Sequence, residues 1–333
     1  MIALVTGASG FIGSTLIEEL NRQGIEVRAL MRTTSNDKHL RGLKYDRFEG
    51  HLGDMESIRR AAQGVDYVFH LAGVVAAKNR AAYFESNAEG TANIARAISD
   101  LAKFPKRVVY VSSIAAGGPM SEKLARKESD QDQPVSWYGQ SKLAGEKEFL
   151  KFKDRFPTAI VRPPIVYGPR DKDVFVMIQS VAKNLMPLLP GTDAAGNKYY
   201  SLIHVRDLVR GLIQVAQAPI ATVPSGEIFY LAEDRYYTYV EMMGTMATHL
   251  GRKPIRLKVP KFALVSLAHG MGWLGALTGR VYPLNKDKLN EILPSYWICS
   301  NEKARKLLGF RPELDLHAGM LDAIQWYKKE KWI

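Results

Sequence analysis

The residues of this chain that suggest chemistry most directly are a tyrosine and a lysine one helical turn apart. Tyr138 and Lys142 bound the run Tyr-Gly-Gln-Ser-Lys, which opens a predicted helix over 137–152, so both lie on one helix face. A free tyrosine has a pKa of about 10, and a nearby ammonium favours the phenolate and lowers that pKa. The pair predicts an acid or base that exchanges a proton with a substrate oxygen.

Two serines, Ser112 and Ser113, end an apolar run predicted to be a strand over 107–112. Ligands of parallel sheets bind at the carboxyl ends of the strands. A serine at that edge can position a substrate oxygen and stabilise charge on it. Tyrosine and lysine occur at this spacing by chance on many helices, so the prediction depends on the elements around the pair.

A glycine loop follows the first predicted strand, 2–6, and leads into a helix predicted over 11–22. Gly7 permits a tight turn, Gly10 lets the backbone approach a pyrophosphate, and Gly13 lets the helix pack close to the strand. The N-terminus of such a helix binds phosphate. A plain strand-to-helix turn is the alternative, but the position of the loop directly after a buried strand favours a dinucleotide site.

The second predicted strand, 26–31, indicates which dinucleotide binds. An acidic residue usually ends this strand in NAD-binding folds, where it holds the ribose hydroxyls. Here Met31 occupies that position and Arg32 follows it. An arginine can pair with a 2′-phosphate and stack on adenine. The pattern favours NADP, with NAD as the alternative cofactor and a merely solvated arginine as the alternative interpretation.

Strands and helices alternate through the first half of the chain. Further strands are predicted at 47–49, 67–71 and 158–162, and helices after Asp54 and at 85–101. This alternation predicts an α/β fold with a Rossmann-type doubly wound parallel sheet. Residues 1–167 would form the dinucleotide-binding domain, with its sheet completed by segments near 200–232. Residues 168–333 would mainly form a smaller α-rich C-terminal substrate lobe.

Composition excludes several other classes of protein. The 333 residues carry a net charge of +12, but the basic residues are dispersed, so we expect no nucleic-acid partner. The single cysteine, Cys299, permits neither an internal disulfide nor a cysteine-based metal site, and we expect no metal and a buried structural thiol. One cysteine, and glycines that interrupt the apolar start of the chain, predict a cytoplasmic protein.

The motifs together resemble the extended short-chain dehydrogenases/reductases of the NAD-dependent epimerase/dehydratase superfamily. Besides the loop, the serines and the tyrosine–lysine pair, the matching pieces are Gly53-Asp54, 70–73 (His-Leu-Ala-Gly), 87–91 (Asn-Ala-Glu-Gly-Thr), 162–169 (Arg-Pro-Pro-Ile-Val-Tyr-Gly-Pro) and 204–207 (His-Val-Arg-Asp). They span most of the chain in the family's order.

The resemblance implies a role for each matching residue. Ser113 would hold the substrate oxygen, Tyr138 would exchange its proton, and Lys142 would tune the tyrosine and hold the nicotinamide ribose. The residues expected to contact the cofactor are Gly7, Gly10, Phe11, Ile12, Gly13, Met31, Arg32, Asp54, Met55, Leu71, Ala72, Gly73, Asn87, Val111, Tyr138, Lys142 and Pro164. Asp54 and Met55 would lie at the adenine, and Asn87 and Pro164 near the nicotinamide.

Two further expectations concern structure. Asp207 is expected to cap the helix that begins near Arg206, so that it and His204 are structural residues. The helices at 85–101 and 137–152 correspond to those that pair across the dimer in many members of the family. We therefore expect a homodimer built as a four-helix contact.

The substrate is the least determined feature. Ile114 and Ala115 follow Ser113, where sugar-nucleotide dehydratases of the family carry Asp-Glu. The C-terminal third resembles the 3β-hydroxysteroid dehydrogenase and dihydroflavonol reductase branch. We expect a ketone and a secondary alcohol to be interconverted on a small, apolar, sterol-, flavonoid- or acyl-like substrate. A sugar-nucleotide epimerase is the alternative, and a non-enzymatic regulator is disfavoured because the catalytic set is complete.

Residues 262–279 contain no Asp, Glu, Lys or Arg. The favoured interpretation is a substrate-lobe helix, with Trp273 closing an apolar pocket. Peripheral membrane contact ranks second, and a transmembrane helix ranks last because glycines and His269 interrupt the segment.

Overall fold

The structure is a computed structural model that describes residues 1–190, 197–282 and 284–333. Its strands there are β1 (Ile2–Thr6), β2 (Glu26–Met31), β3 (Asp46–Glu49), β4 (Tyr67–His70), β5 (Arg107–Val111), β6 (Thr158–Arg162), β7 (Ile165–Tyr167), β8 (Leu185–Leu188), β9 (Tyr199–His204), β10 (Glu227–Tyr230), β11 (Tyr236–Thr238), β12 (Ile255–Lys258) and β13 (Tyr296–Trp297).

The helices of the same residues are α1 (Phe11–Arg22), α2 (Met55–Ala62), α3 (Arg80–Phe84), α4 (Gly90–Ser99), α5 (Ile114–Gly117), α6 (Trp137–Leu150), α7 (Asp173–Ala182), α8 (Val205–Gln217), α9 (Tyr239–Leu250), α10 (Lys261–Thr278), α11 (Lys286–Ile292), α12 (Glu302–Leu308) and α13 (Leu316–Lys329). A 3₁₀ turn lies at Lys38–Leu40, and a π-helical turn at Glu85–Glu89 joins α3 to α4.

The described residues form a parallel sheet of seven strands in the order β10-β6-β5-β4-β1-β2-β3. Both faces of the sheet are covered, so its central strands read as continuous apolar runs. Leu4 packs with α2, α4 and α6 on one face, whereas its neighbour Val5 packs with α1 and α8 on the other. This is the doubly wound Rossmann-type fold that the alternation of elements predicts.

Several boundaries differ from the predictions. The helix expected over 85–101 begins earlier, at Arg80, because the Asn79 side chain accepts a hydrogen bond from the Ala82 N–H and caps it. Of the segments near 200–232, only β10 joins the main sheet. β9 instead centres a second sheet, in which it pairs with β7, β11 and β13.

The helices α7, α9 and α13 pack around the second sheet and form a separate apolar cluster, rich in methionine. Beyond it, β12 pairs with β8 in a two-stranded ribbon. α10 follows β12 and packs on α11 through Leu264, Ala268 and Leu289. Among the described residues, no helix combines the length and apolar character that crossing a bilayer requires.

Candidate functional site

A tight glycine turn joins β1 to α1. Gly7 has a φ of +71°, and a Cβ built on it would lie 2.8 Å from the Ala72 backbone nitrogen. A Cβ on Gly13 would lie 2.2 Å from the Gly7 carbonyl oxygen. Any side chain at either position would force the helix and the loop apart, so this approach requires glycine.

The first turn of α1 has no side-chain cap. Its N-cap residue, Gly10, offers no side-chain acceptor, and the turn carries no acidic residue. Uncapped N–H groups and the positive end of the helix dipole attract anions such as phosphate. The turn therefore fits the pyrophosphate of a dinucleotide.

A cleft of about 720 Å³ opens beside this turn, within the usual size range of small-molecule sites. It lies where β4, β1 and β2 end side by side. The predicted cofactor residues that line it are Gly7, Gly10, Met31, Arg32, Leu71, Ala72 and Gly73. Residues that the sequence reasoning missed also line it, among them Thr6, Ser9, Ser35, His51, Leu52, Val74 and Asn93.

Other predicted cofactor residues support the cleft from behind. The Asn87 side chain accepts a hydrogen bond from the Val74 N–H at 2.8 Å and donates one to the Val74 carbonyl at 3.0 Å, which fixes one wall. Phe11 and Ile12 pack against the core beneath α1. Pro164 is buried in the turn after β6.

Asp54 caps α2 and does not line the cleft. Its Oδ1 accepts hydrogen bonds from the backbone N–H groups of Glu56 and Ser57, both at 3.1 Å. The backbone hydrogen bond from Ser57 is the largest cause that lowers the pKa of Asp54. Met55, the first residue of α2, does not line the cleft either, so contact of these two residues with the adenine stays a prediction.

Arg32 stands at the rim of the cleft, directly after β2. Its side chain is exposed, and the described residues offer it no ion-pair partner. Arg47 is beside it, because its guanidinium donates to the carbonyl oxygens of Arg32 and Thr33 at 3.0 and 3.3 Å. Two guanidinium groups therefore neighbour the position where the acidic residue of NAD-binding folds would lie.

The first turn of α6, which carries Tyr138, is held by two caps. The Ser136 hydroxyl accepts a hydrogen bond from the Gly139 N–H at 3.0 Å. The Asp287 carboxylate, from α11, accepts one from the Trp137 N–H at 3.0 Å. A Cβ on Gly139 would lie 2.3 Å from the Ala115 carbonyl oxygen, so glycine lets α6 approach the serine strand end.

The structure separates the roles of the two serines. Ser112 is buried, and its hydroxyl donates to the Glu146 carboxylate. Ser113 is half-buried, caps α5 through the Ala115 N–H, and is near enough to Tyr138 that its hydroxyl acts to lower the pKa of that tyrosine. Only Ser113 is therefore placed to share a substrate oxygen with Tyr138.

Lys142 is buried beneath the same site. Its ammonium donates to the Val111 carbonyl at 2.8 Å and lies 4.4 Å from the centre of the Tyr110 ring. Gly73 of the cleft wall is adjacent, because a Cβ built on it would lie 3.9 Å from the Lys142 nitrogen. Lys142 thus links the tyrosine helix to the dinucleotide cleft.

Burial is the main cause of the pKa shifts of Tyr138 and Lys142. Desolvation raises the pKa of Tyr138 to about 12, although the nearby Ser113 hydroxyl opposes the rise. Desolvation also lowers the pKa of Lys142 to about 7. The net shift of the Tyr138 pKa is therefore upward, and Lys142 is not among its main causes; the tuning of Tyr138 by Lys142 stays a prediction. Both groups lose solvent, and a lysine whose pKa is about 7 is only about half charged at pH 7.

A buried ionic network supports α6 from the opposite side. The Arg162 guanidinium pairs with Asp132 at 2.6 Å and with Glu146 at 2.5 Å, and the side chains of Arg162 and Glu146 are almost fully buried. Arg162 belongs to the sequence motif at 162–169, whereas Glu146 was not predicted as a site residue. Glu146 follows Lys142 by four residues and so lies on the same face of α6, and this spacing could have indicated that it belongs to the site.

The surroundings of Tyr138 are apolar and acidic. Its ring packs with Val135 and Tyr200 on a buried cluster that contains Trp297, and the ring centre of Tyr83 lies 6.3 Å away. Glu291 accepts a hydrogen bond from Ser136 at 2.5 Å, one residue before the first turn of α6. The structure thus places aromatic residues and carboxylates around the candidate acid.

Trp273 does not close a pocket, because its side chain is exposed on the outer face of α10. His204, not Asp207, caps α8, with its ring accepting a hydrogen bond from the Arg206 N–H. Asp207 instead accepts hydrogen bonds from the Glu313 and Leu314 N–H groups, which tie down the chain before α13. Cys299 is buried, and desolvation raises its pKa to about 12.

The chain is similar to known proteins along most of its length. The family model described as NAD dependent epimerase/dehydratase family matches residues 3–232. The chain is 27% identical to a ceramide reductase of Caulobacter vibrioides, over 100% of this chain and 96% of that protein. It is 28% identical to a putative dihydroflavonol 4-reductase of Synechocystis, over 99% and 95%.

A solved structure supports the same assignment. The crystal structure of gox2253 is 26% identical, with a TM-score of 0.80, and the match covers 99% of this chain and 98% of that one. The family match covers well over half of the chain and includes the glycine turn, the cleft and α6. This chain therefore belongs to the NAD-dependent epimerase/dehydratase family of extended short-chain dehydrogenases/reductases, and it is an oxidoreductase that uses a nicotinamide dinucleotide.

Proposed function

We propose that this protein is an NADP(H)-dependent reductase that converts an apolar, sterol-, flavonoid- or acyl-like ketone into a secondary alcohol. The main support for the proposal is that Ser113, Tyr138 and buried Lys142 lie together beside the dinucleotide cleft: Ser113 is near enough to Tyr138 to act on its pKa, and Lys142 is adjacent to Gly73 of the cleft wall. The relatives named as reductases support this reaction class.

Ser113 and Tyr138 have different roles in the proposed ketone reduction. When bound, the nicotinamide supplies the hydride chemistry. The Ser113 hydroxyl donates to the substrate oxygen and positions it. The Tyr138 hydroxyl gives its proton to that oxygen as the carbonyl becomes an alcohol. A tyrosine whose pKa is about 12 is protonated at neutral pH, the state that reduction requires.

Electrostatics around Tyr138 favour a neutral substrate. The carboxylates of Glu291 and Asp173 raise the pKa of Tyr138 further, and they would repel a diphosphate in the same space. The buried ammonium of Lys198 is already held by the carbonyl oxygens of Ile292, Leu293 and Pro294. Lys198 is therefore not free to pair with a phosphate. A sugar nucleotide bound here would have to desolvate its diphosphate without a cationic partner, at a large cost in free energy.

The choice of NADP over NAD rests on Arg32 and Arg47. Both guanidinium groups neighbour the end of β2, where a 2′-phosphate would lie if the adenosine follows the family's path. The acidic residues that line the cleft among the described residues are Glu85 and Glu89. They belong to the π-helical turn, and no acidic lining residue comes from the loops after β2 and β3, where the 2′-phosphate would lie. This charge distribution favours the phosphorylated cofactor.

A substrate competition tests the function. Purified protein with NADPH is offered apolar ketones, such as steroid or β-keto lipid analogues, and separately uridine or guanosine diphosphate sugars. We expect NADPH oxidation with an apolar ketone only, and at least a hundredfold loss of turnover in Tyr138→Phe. Tyr83→Phe removes a neighbouring hydroxyl and is the matched control. Turnover of a sugar nucleotide alone would instead establish the epimerase alternative.

A further inference from the structure

The outer face of α10 exposes large apolar side chains to solvent. They are Phe262, Leu267, Trp273, Leu274 and Leu277. At 100° per residue they fall within a sector of about 140° on the helix, opposite buried Leu264 and Ala268. Phe262 is 74% exposed and Trp273 is 69% exposed, so neither is even half-buried by the protein.

Isolated exposed apolar residues are normal on protein surfaces, but a continuous stripe of them marks a binding surface. Exposed apolar residues also flank α10 in the chain. Ile255 and Leu257 of β12 are exposed before it, and Val281 is exposed after it. We call residues 252–282, with α10 at their centre, the docking segment.

The charge of the docking segment, together with Lys286 just beyond it, favours an anionic partner. From Arg252 to Lys286 the chain has seven basic residues and no acidic one. These side chains are exposed, and within the described residues none of them forms an ion pair. They are Arg252, Lys253, Arg256, Lys258, Lys261, Arg280 and Lys286. Aromatic and leucine side chains on one helix face, flanked by unpaired basic residues, are typical of helices that lie in an anionic lipid interface.

We propose that α10 docks this protein on the surface of an anionic membrane, with Phe262 and Trp273 inserted among the lipids. The inner face of α10 packs on α11, whose Asp287 accepts a hydrogen bond from the Trp137 N–H of α6 and whose Glu291 accepts one from the Ser136 hydroxyl. Docking therefore holds the catalytic helix near the bilayer, where an apolar ketone would be dissolved. This last step rests on the proposed function, whereas docking itself does not.

The test is flotation of the full chain with lipid vesicles. We expect binding to vesicles of phosphatidylcholine with phosphatidylglycerol, weak binding to phosphatidylcholine alone, and loss of binding at high salt because the ion atmosphere screens the basic residues. Phe262→Ser combined with Trp273→Ser should weaken binding at least tenfold. Arg256→Glu combined with Lys258→Glu should also weaken it, by at least fivefold per basic residue.

Two control variants test whether the loss of vesicle binding is specific to the docking segment. Ile220→Ser removes an exposed apolar side chain elsewhere, and Lys328→Glu with Lys329→Glu makes the same charge change at the C-terminus. These controls should bind like the wild type. Brominated lipids should quench tryptophan fluorescence in the wild type but less in Trp273→Phe.

Three outcomes would overturn docking. The first is no binding to either vesicle, and the second is binding that the α10 substitutions do not weaken. The third is a dimer, seen by sedimentation, that those substitutions dissociate, together with no binding to vesicles. Reduction of a water-soluble ketone, measured in the same variants, separates the two proposals. Normal reduction without vesicle binding refutes docking alone, whereas vesicle binding without reduction of any ketone refutes only the proposed function.

Discussion

Replacing Lys142 by methionine should stabilise the protein near neutral pH while impairing catalysis. Lys142 is 4% exposed, and desolvation lowers its pKa from 10.5 to about 7. Between these values the unfolded chain binds a proton that the folded chain does not. The contribution of Lys142 to stability therefore rises with pH through this window, and it is lost as pH falls through about 7.

The magnitude follows from the two pKa values. Each tenfold difference in dissociation constant corresponds to about 1.36 kcal/mol, so the buried ammonium costs ~5 kcal/mol at or below pH 7. Methionine removes this cost but leaves the Val111 carbonyl without its donor, which costs about 1–3 kcal/mol. We expect Lys142→Met to be about 2–4 kcal/mol more stable at pH 7, and to lose about 1.4 kcal/mol of that advantage per pH unit above pH 7.5.

Urea unfolding of the cofactor-free protein at pH 7, 8 and 9 measures this difference. Lys147→Met is the matched control, because Lys147 is exposed on the same helix; its difference from the wild type should be small and independent of pH. A Lys142→Met variant less stable than the wild type at pH 7, or a difference that does not change with pH, would refute the reasoning.

Three further predictions concern cofactor choice, the ionic network and assembly. Arg32→Ala should lose about 1.5–3 kcal/mol of NADP(H) binding with little change for NAD(H); equal wild-type affinities in titrations would contradict this. Glu146→Gln should cost about 3–5 kcal/mol of unfolding free energy, because Arg162 keeps its buried charge; a loss below about 1 kcal/mol in urea unfolding would count against it. Light scattering should show a homodimer, paired through α4 and α6, and a monomer at micromolar concentration would exclude it.

Local patterns were enough to predict the elements that bring the site together. The apolar run of β1, the glycine spacing and the periodicity of α1 each depend on neighbouring residues, and the structure has them as predicted. That serines lie at the carboxyl edge of the sheet followed from the predicted strand, because ligands bind at this edge of parallel sheets. The choice of Ser113 over Ser112 came from the family resemblance.

The features that could not be predicted from the sequence depend on contacts between residues that are far apart in the chain. Asp207 was expected to cap its own helix, but its carboxylate accepts from Glu313 and Leu314, more than a hundred residues away. The pKa of Tyr138 was expected to fall with a lysine nearby, but burial by several elements raises it. The apolar segment is predicted to close a pocket, and sequence alone could not show that the side chains of its outer face, Trp273 among them, are exposed on this chain.

The raised pKa of Tyr138 predicts that the two directions of the reaction respond differently to pH. With a pKa of about 12, almost every molecule holds the protonated hydroxyl at pH 7, and only about one in 10⁵ holds the phenolate. Reduction needs the proton donor, so its initial rate should be nearly constant from pH 7.5 to 9. Alcohol oxidation needs the phenolate as base, so its initial rate should rise steeply over the same interval.

Initial rates with saturating cofactor, measured separately in each direction, check this asymmetry. The lower limit of pH 7.5 keeps Lys142 mostly neutral, because its pKa is about 7, so the profile reports Tyr138. Tyr138→Phe should lose the pH dependence of any residual oxidation, whereas Tyr83→Phe should keep it. An oxidation rate that is flat from pH 7.5 to 9 in the wild type would refute the combination of Tyr138 as the base and a pKa near 12, since the rate should then rise about tenfold per pH unit.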